Sequence, residues 1–219
     1  WRLPADATEA EVEAVVRELN ADPSVDAFTV QYPFPGALDY DAAILGVDPA
    51  KDAGGVHPVN LGRLVMGADA PLACTPHGIV HMLRAYEVPL AGRHVVIVGR
   101  GLTIGRPLAN LLTLKHGANA AVTVVHTGVE DIGAFTRTAD VIVAAAGSPG
   151  LITADMVRPG AAVVAAGGSF HDGRAVSDVD DGVAEVAGFL SPRIGGVGPL
   201  TRAMLLANTV AAAERSVAG

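Results

Sequence analysis

The sequence has little cysteine, little charge and few aromatic residues. Its single cysteine, Cys74, excludes an internal disulfide and any metal site built from several cysteines, and this usage is typical of a reducing compartment. The formal net charge of −8 excludes bulk attraction to nucleic acid or to an anionic membrane surface. No apolar run approaches the roughly 20 residues that span a bilayer. We therefore expect neither a nucleic-acid partner nor a membrane segment.

Hydrophobic residues, by contrast, make up 50% of the 219 residues, which excludes general disorder and allows a sizeable core. From residue 94 onward, short apolar runs alternate with helical patterns. The runs are continuous, as in parallel strands that are buried on both faces. This order favours an α/β fold with a Rossmann-like doubly wound parallel sheet. The predicted strands are His94–Val98, Ala121–Val125, Val141–Ala145 and Ala161–Ala166, and the predicted helices between them are Ile104–His116, Ile132–Arg137 and Ala154–Val157.

A second α/β segment comes first in the chain. Thr8, with Glu11 three residues later, forms a capping-box pattern and predicts a helix over Glu9–Asn20. A short apolar run predicts a strand over Ala27–Gln31, which ends before the prolines that follow.

The two ends of the chain are expected to form one discontinuous lobe. The last predicted helix, Leu200–Ser216, follows a glycine-rich loop, and we expect it to return to the first segment. Thr75 as N-cap, with Pro76 at the first helical position, predicts a helix at the start of the other lobe. The predicted lobes are residues 1–76 plus 201–219 and residues 77–200.

The stretch from Gly99 to Pro107 joins a predicted buried strand to a predicted helix. Glycines at 99, 101 and 105 allow a tight turn and the approach of a phosphate to the helix N-terminus, where free amides favour an anion. The spacing Gly-x-Gly-x-x-x-Gly departs from the Gly-x-Gly-x-x-Gly fingerprint of dinucleotide sites. A tight strand–helix connection without a ligand is therefore the alternative.

The next predicted strand is not followed by the acidic residue that holds the ribose hydroxyls in NAD sites. His126 and Thr127 stand there instead. Arg100, just after the first glycine, is placed to pair with a 2′-phosphate. The pattern favours NADP over NAD. The alternatives are a solvated loop arginine and a structural histidine.

Three further loops, over residues 30–35, 51–58 and 194–201, are not needed by a nucleotide domain. Each lies at a strand end or before a helix, where ligand sites of α/β proteins lie. Each alone is more often a structural turn. Together they predict a substrate cleft between two lobes.

Several motifs recur in one order along essentially the whole chain. They are Gln31 with a Pro-Phe-Pro run, Lys51-Asp52-x-x-Gly55-x-His57-Pro58, Cys74-Thr75-Pro76, Gly99-Arg100 to Pro107, Thr153–Val157, Val176–Val179 and Gly195–Thr201. In this combination the chain resembles the bifunctional methylenetetrahydrofolate dehydrogenase/methenyltetrahydrofolate cyclohydrolase family. The resemblance implies NADP-dependent oxidation of 5,10-methylenetetrahydrofolate and hydrolysis of the methenyl product to 10-formyltetrahydrofolate. It also implies a cytoplasmic homodimer, with tetrahydrofolate derivatives as its partners.

The resemblance also assigns roles to residues. The lobe over 1–76 plus 201–219 would bind folate, and the domain over 77–200 would bind NADP. Gln31 is assigned to catalysis, and Asp52 is added as the carboxylate nearest to position 54. The folate pocket is assigned to Pro33, Gly195, Gly196, Val197, Gly198 and Pro199. NADP binding is assigned to Gly99, Arg100, Gly101, Gly105, Thr127 and Gly168. No metal ion is predicted, since His77 and His81 lack further ligands in the pattern.

The sequence departs from the family at ligand-facing positions. The family's Tyr-x-x-x-Lys helix, with its catalytic lysine, is expected upstream of Trp1, and neither Lys51 nor Lys115 matches it. Gly54 replaces a carboxylate that holds the pterin, and Ala165 replaces an aspartate. Two hypotheses follow: an enzyme with a further N-terminal segment, or a relative that binds NADP(H) without folate turnover.

Overall fold

The computed structural model describes residues 1–31, 34, 38–171 and 174–218, and the chain divides into two compact units. The first comprises Trp1–Leu72 and Leu205–Gly219, and the second Ala73–Met204. The predicted divisions lie four residues from these, at 76 against 72 and at 200 against 204. The functional roles assigned to the two lobes stay predictions.

The second unit carries nearly all of the regular sheet. Its five-stranded sheet is parallel throughout, in the order β2-β1-β3-β4-β7. Strands β5 and β6 form a separate two-stranded antiparallel sheet. The strands are β1 (His94–Val98), β2 (Ala121–Val125), β3 (Val141–Ala144), β4 (Ala162–Ala165), β5 (Gly168–His171), β6 (Arg174–Ser177) and β7 (Phe189–Leu190). The Rossmann-like α/β prediction is confirmed.

Seven helices accompany the described strands. They are α1 (Glu9–Ala21), α2 (Tyr40–Leu45), α3 (Pro58–Met66), α4 (Cys74–Ala85), α5 (Gly105–Thr113), α6 (Gly133–Thr136) and α7 (Val197–Ala218). The core of the second unit lies on β1, β3 and β4, where the valines and isoleucines are almost fully buried on both faces. Within the described ranges, no helix combines the length and the apolar character needed to cross a membrane.

Two helix predictions in the second unit need correction. α4 begins at Cys74, with Ala73 rather than Thr75 as its N-cap. The Thr75 hydroxyl lies instead 2.9 Å from the hydroxyl of Thr201, a partner 126 residues away. Pro76 is the third helical residue, and it is tolerated there because the first amides of a helix have no intrahelical acceptor. The predicted helix over 154–157 is a short 3-10 turn, Ala154–Met156.

The first unit confirms the predicted helix start. The Thr8 side chain accepts from the Glu11 N–H, and the Glu11 carboxylate accepts from the Thr8 N–H at 2.7 Å. The predicted strand over Ala27–Gln31 is wrong, since within the described part of the chain it forms a single bridge, between Phe28 and Asp52. A strand needs a pairing partner along its length. Among the described residues, only the short stretch from Lys51 to Ala53 hydrogen-bonds to Phe28.

Lys51 caps the C-terminal end of α1. Its Nζ donates to three backbone carbonyls, Leu19 O at 3.1 Å, Asn20 O at 2.9 Å and Asp22 O at 2.7 Å. The last carbonyls of a helix have no intrahelical partner, and the helix dipole favours a cation there. Lys51 therefore has a structural role in this unit.

Replacing Lys51 with Met is expected to lower the free energy of unfolding by about 1.5–3 kcal/mol, the range for hydrogen bonds to a charged group. Met keeps an unbranched stem but leaves the carbonyls without the ammonium. Urea denaturation measures the change. Lys115→Met is the matched control, because Lys115 is exposed and is the one other lysine of the sequence. Equal effects of the two variants would contradict the capping role.

Candidate functional site

The turn between β1 and α5 is shaped by close backbone contacts. Gly99 has φ +135°, and an added Cβ would collide with the carbonyl oxygen of Ala145. A Cβ on Gly105 would collide with the carbonyl oxygen of Gly99. Gly101 differs, since nothing lies within 4 Å of its added Cβ. Glycine is thus required by packing at 99 and 105, and position 101 is open.

The N-terminus of α5 faces this turn. Its N-cap residue, Ile104, has no side-chain oxygen, so no side chain caps the first-turn amides. Helix N-termini leave up to four N–H groups without an intrahelical partner, and a ligand phosphate oxygen is a suitable acceptor for them. The arrangement fits the diphosphate of a dinucleotide, which the glycines let come close.

The end of β2 lies beside the same turn, because the Gly99 N–H donates to Val125 O at 2.8 Å. His126 makes a local turn, in which its Nδ1 accepts from the Gly128 N–H at 3.1 Å. This contact favours the structural interpretation of His126. Thr127 and Arg100 are exposed. Their exposure leaves a guanidinium and a hydroxyl accessible near the position where NAD sites place a carboxylate.

A cleft of about 260 Å³ opens in the second unit near the carboxyl end of β4. Three predicted site residues line it, namely Gly168, Val197 and Gly198. It is also lined by Thr75, Arg193 and Thr201, which the sequence did not single out as site residues. Since Ser177 lines it as well, the cleft carries three hydroxyls and one guanidinium among glycine and apolar residues.

The glycine-rich segment before α7 has structural reasons for its glycines. Gly195 has φ +81°, and a Cβ on Gly196 would collide with the carbonyl oxygen of Pro192. Pro199 is exposed in the first turn of α7. These contacts explain the glycines without a ligand. The assignment of Gly195, Gly196 and Pro199 to the folate pocket stays a prediction.

The first unit holds the remaining predicted site residues. Gln31 is exposed, whereas Pro33 lies outside the described residues. Asp52 is buried, and its carboxylate accepts from three donors of its own segment. These donors are Gly55 N at 2.9 Å, His57 N at 2.8 Å and Asn60 Nδ2 at 3.0 Å. Asp52 thus holds its own loop together, and these contacts do not support the catalytic role predicted for it.

His77 and His81 are the two histidines of α4. In the part of the chain that the structure describes, no three His, Cys, Asp or Glu side chains are grouped so as to hold a metal ion. Burial lowers the pKa of His77, with further lowering by nearby His81 and Arg84. Burial and the two neighbouring basic side chains thus both favour the neutral imidazole of His77.

Two family profiles match this chain. The profile of the tetrahydrofolate dehydrogenase/cyclohydrolase NAD(P)-binding domain matches residues 73–217, and that of the catalytic domain matches residues 1–54. The chain belongs to the tetrahydrofolate dehydrogenase/cyclohydrolase family. The Gly99–Gly105 turn, the end of β2 and the cleft all lie within the part matched by the NAD(P)-binding profile of this family.

Relatives of known name agree with the family. The bifunctional protein FolD of Syntrophotalea carbinolica is 54% identical over 213 residues, which are 97% of this chain and 73% of that protein. The crystal structure of the bifunctional FolD of Campylobacter jejuni has a TM-score of 0.92 at 39% identity, covering 98% of this chain and 76% of that one. The Trypanosoma brucei FolD, solved with NADP cofactor and an inhibitor, has a TM-score of 0.91 at 38% identity, covering 99% and 76%.

Proposed function

We propose that this member of the tetrahydrofolate dehydrogenase/cyclohydrolase family oxidises 5,10-methylenetetrahydrofolate with NADP and hydrolyses the methenyl product to 10-formyltetrahydrofolate. The observation that carries the proposal is the glycine turn at the carboxyl end of β1, where backbone contacts require Gly99 and Gly105. The names of the relatives, and the NADP complex of the Trypanosoma brucei enzyme, support it.

The proposed reaction requires the cofactor site only to bind NADP and to orient it. NADP, when bound, supplies the acceptor for the hydride that leaves the methylene carbon. The oxidised carbon is then a methenyl cation, to which water adds with loss of a proton, and one C–N bond opens to give the formyl product. Gly99, Gly101, Gly105, Thr127 and Gly168 would hold the cofactor, and Arg100 would select its 2′-phosphate. Gln31 would orient the one-carbon unit.

Arg100→Gln tests the cofactor assignment directly. We expect NADP affinity to fall about 10–100-fold, since a charge-assisted hydrogen bond contributes about 1.5–3 kcal/mol. NAD affinity should change little, because NAD lacks the 2′-phosphate. Isothermal titration with both nucleotides measures this. Arg106→Gln removes the same charge from the first turn of α5. Equal losses in the two variants, or equal losses for NADP and NAD, would point to general electrostatic attraction.

Separate observations support a second function, NADP(H) binding without folate turnover. Gly54 stands in place of the family's carboxylate, and the neighbouring Asp52 is occupied by its own loop. The Lys51 ammonium likewise donates to carbonyls in the last turn of α1. These features favour a relative that binds NADP(H) without folate turnover. An assay of NADP reduction with 5,10-methylenetetrahydrofolate distinguishes the two, because the second function predicts NADP binding without turnover of the folate.

We also propose that the protein is a cytoplasmic homodimer that serves one-carbon metabolism and purine biosynthesis. The family supports this proposal, and so does the single buried cysteine, Cys74, which is typical of a reducing compartment. Light scattering should give twice the chain mass of 22.1 kDa. A mass of one chain across the concentrations used would contradict the dimer.

A further inference from the structure

We propose that Asp178 is a positioning residue of the cofactor site, an inference that rests on the proposed function. Asp178 is fully buried, which is costly for a carboxylate without hydrogen bonds. Its Oδ2 accepts from two successive backbone amides, Ala146 N at 2.7 Å and Gly147 N at 2.8 Å. Its Oδ1 is also buried and has no hydrogen-bond partner among the described residues. The carboxylate therefore accepts hydrogen bonds from a single segment, residues 145–147 after β3, which we call the β3 loop.

The β3 loop is packed against the nucleotide turn. A Cβ on Gly99 would collide with the carbonyl oxygen of Ala145 and lie 3.2 Å from Ala146 N. On the other side, a Cβ on Gly167 would collide with the Asp178 carboxylate and lie 3.1 Å from the Ala145 Cα. The β3 loop has no free space toward Gly99 or Gly167. A displacement of the loop must therefore move the residue at the start of the phosphate-binding turn.

Asp178 is itself held firmly enough to fix the loop. Its carbonyl accepts from Ile152 N at 2.9 Å, and the carbonyl of Ser177 accepts from Gly150 N at 2.9 Å. An ionised acceptor makes shorter and stronger hydrogen bonds than a neutral one, and groups at a site must be held to a fraction of an ångström. A rigid carboxylate that binds two amides of one loop meets this need. Asp178 thus acts on the cofactor through the β3 loop and Gly99, without contact of its own.

The experiment compares Asp178→Asn with Asp180→Asn, at a temperature well below both melting temperatures. Asp180 is exposed and accepts from Gly182 N at 2.9 Å as the N-cap of a 3-10 turn, so it is a matched control with a local role. We expect Asp178→Asn to weaken NADP binding about tenfold or more, on the scale of one lost charge-assisted contact. Asp180→Asn should bind NADP as the wild type does. Folded Asp178→Asn with wild-type affinity would overturn the proposal.

A second pair of variants covers the case in which Asp178→Asn does not fold. Gly147 and Gly92 have φ of +67° and +70°, and nothing lies within 4 Å of a Cβ added to either. An alanine at each position brings the same backbone strain, but Gly147 belongs to the β3 loop. We expect equal losses of melting temperature and weaker NADP binding for Gly147→Ala alone. Equal NADP affinities of the two variants would overturn the proposal.

Amide hydrogen exchange separates this proposal from the proposed function. If the wild type binds no NADP, the proposed function fails, but the positioning role still has a readout in the free protein. Asp178→Asn, or Gly147→Ala if the former does not fold, should then speed exchange at Ala146 and at Gly99, whose N–H is bonded to Val125 O. The matched control variant should leave both amides protected. Unchanged exchange at Ala146 and Gly99 would overturn the positioning role.

Discussion

Gly99→Ala is expected to abolish NADP binding, with a loss of affinity of about 100-fold or more. A side chain at φ +135° is strained by about 1–3 kcal/mol, and its Cβ would also collide with the carbonyl oxygen of Ala145. Neither partner of this contact is a flexible side chain, so relief requires β1 or β3 to shift at its carboxyl end. That shift opens the turn that places amides around the phosphates.

Gly101→Ala is the matched control for Gly99→Ala. The two glycines are two residues apart in one turn, but the added methyl at 101 meets no atom within 4 Å. We expect Gly101→Ala to bind NADP within about twofold of the wild type, because alanine keeps the backbone amide by which position 101 would hold the cofactor, and substitutions that disturb no contact usually change free energies by no more than about 0.5 kcal/mol. Isothermal titration measures both affinities, and circular dichroism checks that both variants are folded. Equal affinities would contradict a phosphate site built on the contact between Gly99 and Ala145.

Local patterns in the sequence were enough to predict strands β1 to β4 of the second unit. Strand β1 and the Gly99–Gly105 turn follow from neighbouring residues, because a buried parallel strand and a tight turn have local signatures. The pairing of Thr75 with Thr201 spans 126 residues, and nothing near either residue indicates it. Asp178 was noted only as part of a motif. Its burial and its bonds to Ala146 and Gly147 arise from tertiary contacts across the ends of the sheet.

The first unit shows where local sequence patterns are insufficient. The pattern over Ala27–Gln31 has strand propensity, but propensity depends on a neighbour to pair with, and among the described residues of this stretch only Phe28 forms a bridge. Lys51 and Asp52 share a motif that indicates chemistry. In the fold, the Lys51 ammonium binds the end of α1, and the Asp52 carboxylate binds its own loop. A charged residue in a sequence motif can bind either a ligand or the protein backbone. The sequence is the same in both cases, so only the contacts in the structure distinguish them.

A substitution at Gly54 provides a direct test of folate binding. The position has room for a side chain with small adjustments, since an added Cβ would lie 3.2 Å from Thr29 Oγ1 and 3.4 Å from Asp52 Oδ1. Gly54 is not among the glycines with positive φ, whereas Gly55 has φ +68° and must stay glycine. The Asp52 side chain is held in its own loop by hydrogen bonds from the Gly55 and His57 amides. A second carboxylate is therefore tolerated at position 54.

Gly54→Asp is expected to raise the affinity for tetrahydrofolate about 10–100-fold, because a charge-assisted hydrogen bond to the pterin amidine contributes about 1.5–3 kcal/mol. Gly54→Asn is the matched control, with the same size and no charge. It should recover much less, since its amide makes only neutral hydrogen bonds. Titration with tetrahydrofolate measures both. A gain for Asp alone means that position 54 faces a retained folate pocket, which favours the enzyme over the relative that binds NADP(H) without folate turnover. Equal affinities for Asp, Asn and wild type would remove position 54 from the folate site.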